Sequence, residues 1–145
     1  MKNLKINEKT ILERIDIIEN SLKRLEELKG LSAGRFMIDD NFAVAEHYLR
    51  YALEATFDIC SHILSRIPGI RTDKYKEMAI EMGRQGFIPM EFAEGKLQEM
   101  AKYRNRLTHF YFEVTPKEMY NIIQDDLVDF EFFLKYIKKL LPKNG

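Results

Sequence analysis

Apolar residues recur at helical spacing along almost the whole chain. Ile11, Ile15, Ile18, Leu22 and Leu25 alternate steps of four and three, which predicts one apolar stripe on a charged helix over about residues 4–29. Gly30 and Gly34 bracket a short break. A second helix is predicted from an N-cap at Asp39 or Asp40 to about Arg66. Leu49, Ala52, Leu53, Thr56, Ile59, Cys60 and Ile63 make it apolar over much of its circumference, the pattern of a helix central to a bundle. Pro68 and Gly69 end it. A shorter helix over about 73–84 turns Met78, Ala79 and Met82 inward. A fourth begins near Pro89, which suits a first helical turn, and carries Phe92, Leu97, Met100 and Ala101 into "YRNRL". Thr115, Pro116 and Glu118 then read as N-cap, N1 and N3 of a capping box. The last helix runs to about Leu141, with Ile122, Ile123, Leu127, Phe130, Phe133, Leu134 and Ile137 facing in. No alternating strand pattern, internal repeat or linker interrupts this. The expectation is a single all-α domain over residues 1–145, an up-down bundle of four long helices and one short one.

Composition narrows the class. The chain has 145 residues, 46% apolar and 32% charged, which suits a globular domain with its own core. Lys plus Arg and Asp plus Glu both number 23. A surface uniformly coated in positive charge is thereby excluded, whereas a local basic cleft is not. The single cysteine, Cys60, leaves no intramolecular disulfide and no cysteine-based zinc site, in keeping with a reducing cytoplasm. No apolar run approaches 18 residues and no signal-peptide core opens the chain, so no membrane association is expected. The sequence has no H-E-x-x-H motif, and no metal site or cofactor is expected.

The candidate chemistry lies in "YRNRLTHFYF", residues 103–112. At about 100° per residue, Arg104 and Tyr111 share a helix face and Asn105 stacks under His109. The helix has to end before Thr115, so these four side chains can converge at its C-terminal end. The second helix offers a polar stripe, His47, Tyr51, Glu54, Asp58 and His62, at spacings of four, three, four and four. Asp58 in particular could pair with Arg104 or orient a histidine. Metal-free RNA cleavage needs a base for the 2′-hydroxyl, an acid for the leaving 5′-oxygen and a cation for the phosphate. Histidine suits the first two tasks and arginine the third. One of each per chain is a sparse set, which two copies facing one cleft would double. By spacing alone the stretch reads more readily as a basic helix end of the ordinary kind, since cations there complement the helix dipole.

The motif Arg-x4-His-x-Tyr (Arg104, His109, Tyr111), extended as "YRNRLTHFYFEVTPKEMYNII", resembles the signature of the HepT-like branch of the HEPN superfamily. "FAVAEHYLRYALEATFDICSHIL" (42–64), with Asp58 and His62, is similar to that family's second helix. "GFIPMEFAEGKLQEMAKYRNRL" (86–107) is similar to its approach to the motif. The resemblance covers roughly residues 40–140. It implies an all-α HEPN fold and a homodimer with the motifs at a shared cleft. It also implies a metal-independent ribonuclease toxin, acting on RNA and paired with a minimal nucleotidyltransferase antitoxin that transfers AMP from ATP to the motif tyrosine. On that footing Arg104 and His109 are catalytic, Asn105 orients the histidine, Asp58 supports, and Tyr111 assists and accepts AMP. Such an adduct would place negative charge and bulk over Arg104. Tyr103 stands where many members carry a small residue. A second class stays open: a non-catalytic nucleotide- or substrate-binding subunit of a two-component nucleotidyltransferase.

Overall fold

The computed structural model describes residues 5–108 and 114–142. Helix α1, Glu8–Lys29, starts where Asn7 caps it, the side chain accepting from the Thr10 N–H at 3.2 Å. Ile11, Ile15, Ile18, Leu22, Leu25 and Leu28 all point into the core. The short α2, Ala33–Phe36, is capped by Ser32 and buries Phe36 completely. Asp39 then takes a positive φ of 57°, a conformation that aspartate tolerates better than most residues. Asp40 sits at the N-cap of α3, Asn41–Ser65, without a side-chain cap. The turn is closed instead by the Asn41 amide, which donates to the carbonyls of Arg35 and Ile38.

Helix α3 is the centre of the bundle. It packs along α1 and also meets α4, α6 and α7. Ala45, Leu49, Ala52, Leu53, Ala55, Phe57, Ile59, Cys60, Ile63 and Leu64 are all buried, and Thr56, also buried, donates to the Ala52 carbonyl at 2.8 Å. Burial pushes the Cys60 thiol far up, so it is an inert packing group.

Helix α4, Tyr75–Arg84, buries Met78, Ala79 and Met82, the face read from the sequence. Its end is a Schellman turn. Gly86 has φ 80°, its N–H donates to Gly83, and the Phe87 N–H reaches Met82. Pro89 is the N-cap of the next helix rather than its first turn. That helix is broken: α5, Met90–Glu94, and α6, Lys96–Thr108, meet at Gly95. A Cβ on Gly83 would lie 2.5 Å from Met90 Sδ and 2.6 Å from Ala93 Cβ, so the glycine permits the close approach of α4 and α5.

The last helix is likewise two pieces, α7, Pro116–Asp125, and α8, Leu127–Lys138, meeting at Asp126. All the residues predicted to face in do so. Tyr120 donates its hydroxyl to the Leu31 carbonyl and Gln124 donates to Lys29, both at 2.9 Å, tying α7 to the end of α1. The architecture is an all-α bundle around one continuous core, and no strand occurs among the described residues. No helix is long and apolar enough to cross a membrane, again among the described residues.

Candidate functional site

The last turns of α6 carry Tyr103, Arg104, Asn105, Arg106 and Thr108. Arg104 is half-buried. Its Nη1 donates to Thr108 Oγ1 at 2.9 Å, one turn further on. That hydroxyl in turn lies 3.1 Å from the carbonyls of Arg104 and Asn105, so it is a donor to the helix and an acceptor for the guanidinium at once. The Arg104 guanidinium carbon lies 4.6 Å from the centre of the Tyr75 ring, the first residue of α4. Tyr75 leans on the buried Phe57 of α3 with ring centres 5.2 Å apart. Arg104 Nε is buried with no hydrogen-bond partner. No carboxylate pairs with Arg104 among the described residues.

Arg106 is held differently. Its Nη1 and Nη2 grip Glu118 Oε2 and Oε1 at 2.5 and 2.7 Å, a two-pronged charge-assisted pair. The arginine's hydrogen bond holds the Glu118 carboxyl below the usual range, with the Thr115 backbone adding to it, and Glu118 raises Arg106 in return. Thr115 caps α7 as predicted, its Oγ1 accepting from the Glu118 N–H at 3.2 Å. The glutamate read as the second half of a capping box therefore also bridges α6 to α7, on either side of residues 109–113. Arg106 also lies 5.7 Å from the centre of the Tyr103 ring, which packs against the core. Burial is the main cause that raises the Tyr103 hydroxyl, followed by the charges of Glu118 and Asp126.

The other predicted residues are placed as follows. Asn105 is half-buried beside Arg104 on α6. His109 and Tyr111 lie outside the described residues. Asp58 is exposed on α3 and pairs with Arg14 of α1 at 3.1 Å, and among the described residues it meets neither Arg104 nor a histidine. The reason is that its part of α3 faces α1, its main packing partner. His62 is structural too. Its Nε2 accepts from the Asn7 N–H at 2.9 Å and so fastens the start of α1. Burial, then the charge of Arg66, lowers its pKa. His47 lies against the rings of Tyr51 and Tyr48, at 4.2 and 4.9 Å. The C-terminal part of the polar stripe, Asp58 and His62, is thus a seam with α1, while the ring contacts of His47 stay within α3. Tyr75 is the site residue that the sequence left unmarked, because nothing in its local pattern ties it to another helix. A shallow cleft lies beside it, lined by Arg71, Lys76 and Arg84 together with Glu77, Glu81 and Gln98.

Arg104 thus stands half-buried, with no carboxylate partner among the described residues, at the head of the Arg-x4-His-x-Tyr motif in a helical bundle. The ribonuclease HepT-like family model matches residues 18–137. The chain belongs to that family. The tRNA nuclease HepT of Aphanizomenon flos-aquae is 25% identical over 136 residues, spanning 92% of both chains. Among solved structures, a tri-AMPylated HEPN toxin of Shewanella oneidensis in complex with an MNT antitoxin superposes with a TM-score of 0.80. It is 23% identical and covers 96% of this chain and 99% of that one. A toxin–antitoxin complex with AMP-PNP also reaches 0.80, at 21% identity over 90% of this chain and 98% of that one. At these identities the solved structures speak to the fold, which they share with this chain.

Proposed function

We propose that this chain is the toxin of a toxin–antitoxin pair: a cytoplasmic, metal-independent endoribonuclease, one HEPN domain over residues 1–145, working as a homodimer. The observation that carries the reading is Arg104, the motif arginine, held at the end of α6 by Tyr75 and Thr108 with no carboxylate paired to it among the described residues. Such a guanidinium is suited to a phosphate. In the proposed reaction the 2′-hydroxyl gives its proton to His109 as its oxygen attacks the adjacent phosphorus. Arg104 balances the charge gathering on the phosphoryl oxygens. The 5′-oxygen leaves with a proton from a general acid, the second copy's histidine in the dimer, giving a cyclic 2′,3′-phosphate and a 5′-hydroxyl. Asn105 orients His109.

Control follows from Tyr111. A minimal nucleotidyltransferase antitoxin would join the tyrosine oxygen to the α-phosphorus of ATP and release pyrophosphate, leaving AMP over Arg104. The AMPylated toxin among the structural relatives supports this reading. The curated relative is a tRNA nuclease, so tRNA is the first substrate to test. Purified protein is expected to cut RNA in the presence of EDTA and His109→Ala is expected to be inert. A His109→Ala protein that cuts like the parent overturns the assignment. A parent that leaves RNA intact while binding nucleotide would favour the subunit of a two-component nucleotidyltransferase instead.

A further inference from the structure

We propose that Tyr75 is the positioning residue for Arg104, its ring setting the plane of the guanidinium that meets the substrate phosphate. This rests on the ribonuclease reading above. Among the described residues the guanidinium has few other anchors. Thr108 Oγ1 takes Nη1 at 2.9 Å, and Nε has no acceptor. The contact that governs the tilt of the plane is therefore the Tyr75 ring, 4.6 Å from the guanidinium carbon.

The chemistry of that contact suits a phosphate site. A carboxylate would hold the arginine more firmly, but it would cancel the charge the phosphate needs and occupy the donors that must reach it. An aromatic face attracts the cation through its quadrupole, leaves the net charge at +1 and leaves the in-plane N–H groups outside the contact. Nη2 indeed has no hydrogen-bond partner among the described residues. The ring itself is braced. Phe57, 1% exposed on the central helix, packs against it at 5.2 Å. Position therefore passes from the core of α3 through Phe57 and Tyr75 to Arg104, along a chain with no charge of its own until the last link.

The test is a ring series at position 75 in the full-length protein, assayed for RNA cleavage with EDTA present. Tyr75→Phe is expected to keep most of the activity, because the face remains. Tyr75→Leu fills much of the space without a π face and is expected to lower kcat/KM by about 3- to 30-fold. Replacement by phenylalanines of increasing fluorination withdraws density from the face at nearly constant shape. The logarithm of kcat/KM is expected to fall in step with the ring's cation affinity, a trend that a purely packing role would not produce. In NMR, the ring-current shift of the Arg104 side-chain protons is expected in the parent and in Tyr75→Phe, and absent in Tyr75→Leu. A flat fluorination series with an inactive Arg104→Ala overturns the role of Tyr75 and leaves the ribonuclease reading standing. A parent that fails to cut, or an Arg104→Ala protein that cuts normally, overturns that reading and the role of Tyr75 with it.

Discussion

Arg104 and Arg106 are two positions apart on one helix and have opposite surroundings. Two residues turn about 200° around a helix, so the first arginine meets α4 and the second meets α7. Arg106 is gripped at both nitrogens by Glu118 and is electrically closed. Arg104 has a ring under its plane and one hydroxyl at its edge, and no carboxylate among the described residues neutralises it. The lesson is that anchoring and neutralising a cation are separable. A structural arginine receives both from a carboxylate. An arginine that must answer a phosphate is better anchored by groups that carry no charge.

The largest expected effect separates the two. Arg104→Ala is expected to lower RNA cleavage by about 100- to 1,000-fold, the usual loss on removing one donor aimed at developing charge, with Tm within about 1–2 °C of the parent. Arg106→Ala is expected to do the reverse. Its pair with Glu118 is about a third exposed on each side, so we discount it for solvent to about 1 kcal/mol, or about 2–4 °C in Tm. Cleavage by the folded protein should stay within about threefold of the parent. Rate and melting assays on both variants are sufficient. An Arg106→Ala protein that melts normally and fails to cut would abolish the distinction.

Gly83→Ala breaks one side of the comparison only. The added methyl meets Ala93 Cβ, which cannot swing aside as Met90 Sδ can. Overpacking of this kind costs about 1–3 kcal/mol. Helix α4 must shift away from α5, and α4 carries Tyr75. Cleavage is therefore expected to fall along with the Arg104 ring-current shift, at a temperature where the protein remains folded. The Arg106–Glu118 pair, between α6 and α7, should be unaffected in the same spectra.

The sequence exposed the frame more fully than the site. Every inward position read on the last helix is buried, because the apolar period alone dictates that face. The same period hid the breaks at Gly95 and Asp126, since the apolar stripe continues across both. Ser32 could have marked α2, whose four residues are too few for periodicity. At the site, helical spacing located Arg104 and Asn105 correctly at the end of α6. It could not find Tyr75 or choose Arg14 as the partner of Asp58, because both depend on which helix faces which. Glu118 was legible as a helix-start residue, but its grip on Arg106 joins two helices and has no local signature.

The smallest effects are those of pH, and they test whether the clamp and the site titrate separately. Glu118 is held below the ordinary glutamate range in the folded protein. Its contribution is complete above that range and is lost as pH falls through the lowered folded value. In Glu118→Gln the acid limb of stability should be shallower than in the parent, by at most about 1 kcal/mol given the exposure of the pair. His62 acts at milder pH. Its folded pKa is lowered by burial and by Arg66, so the unfolded chain binds the proton first and stability drops as pH falls below about 6.5, the ordinary histidine value. Protonation also removes the acceptor that holds the Asn7 N–H. His62→Ala is therefore expected to flatten stability in mild acid while leaving the pH profile of cleavage near neutrality in place, as the proposed assignment of that profile to another residue requires. If the cleavage profile moves with His62→Ala, the seam between α1 and α3 is coupled to the site, and Arg104 is not insulated from the charged contacts around it.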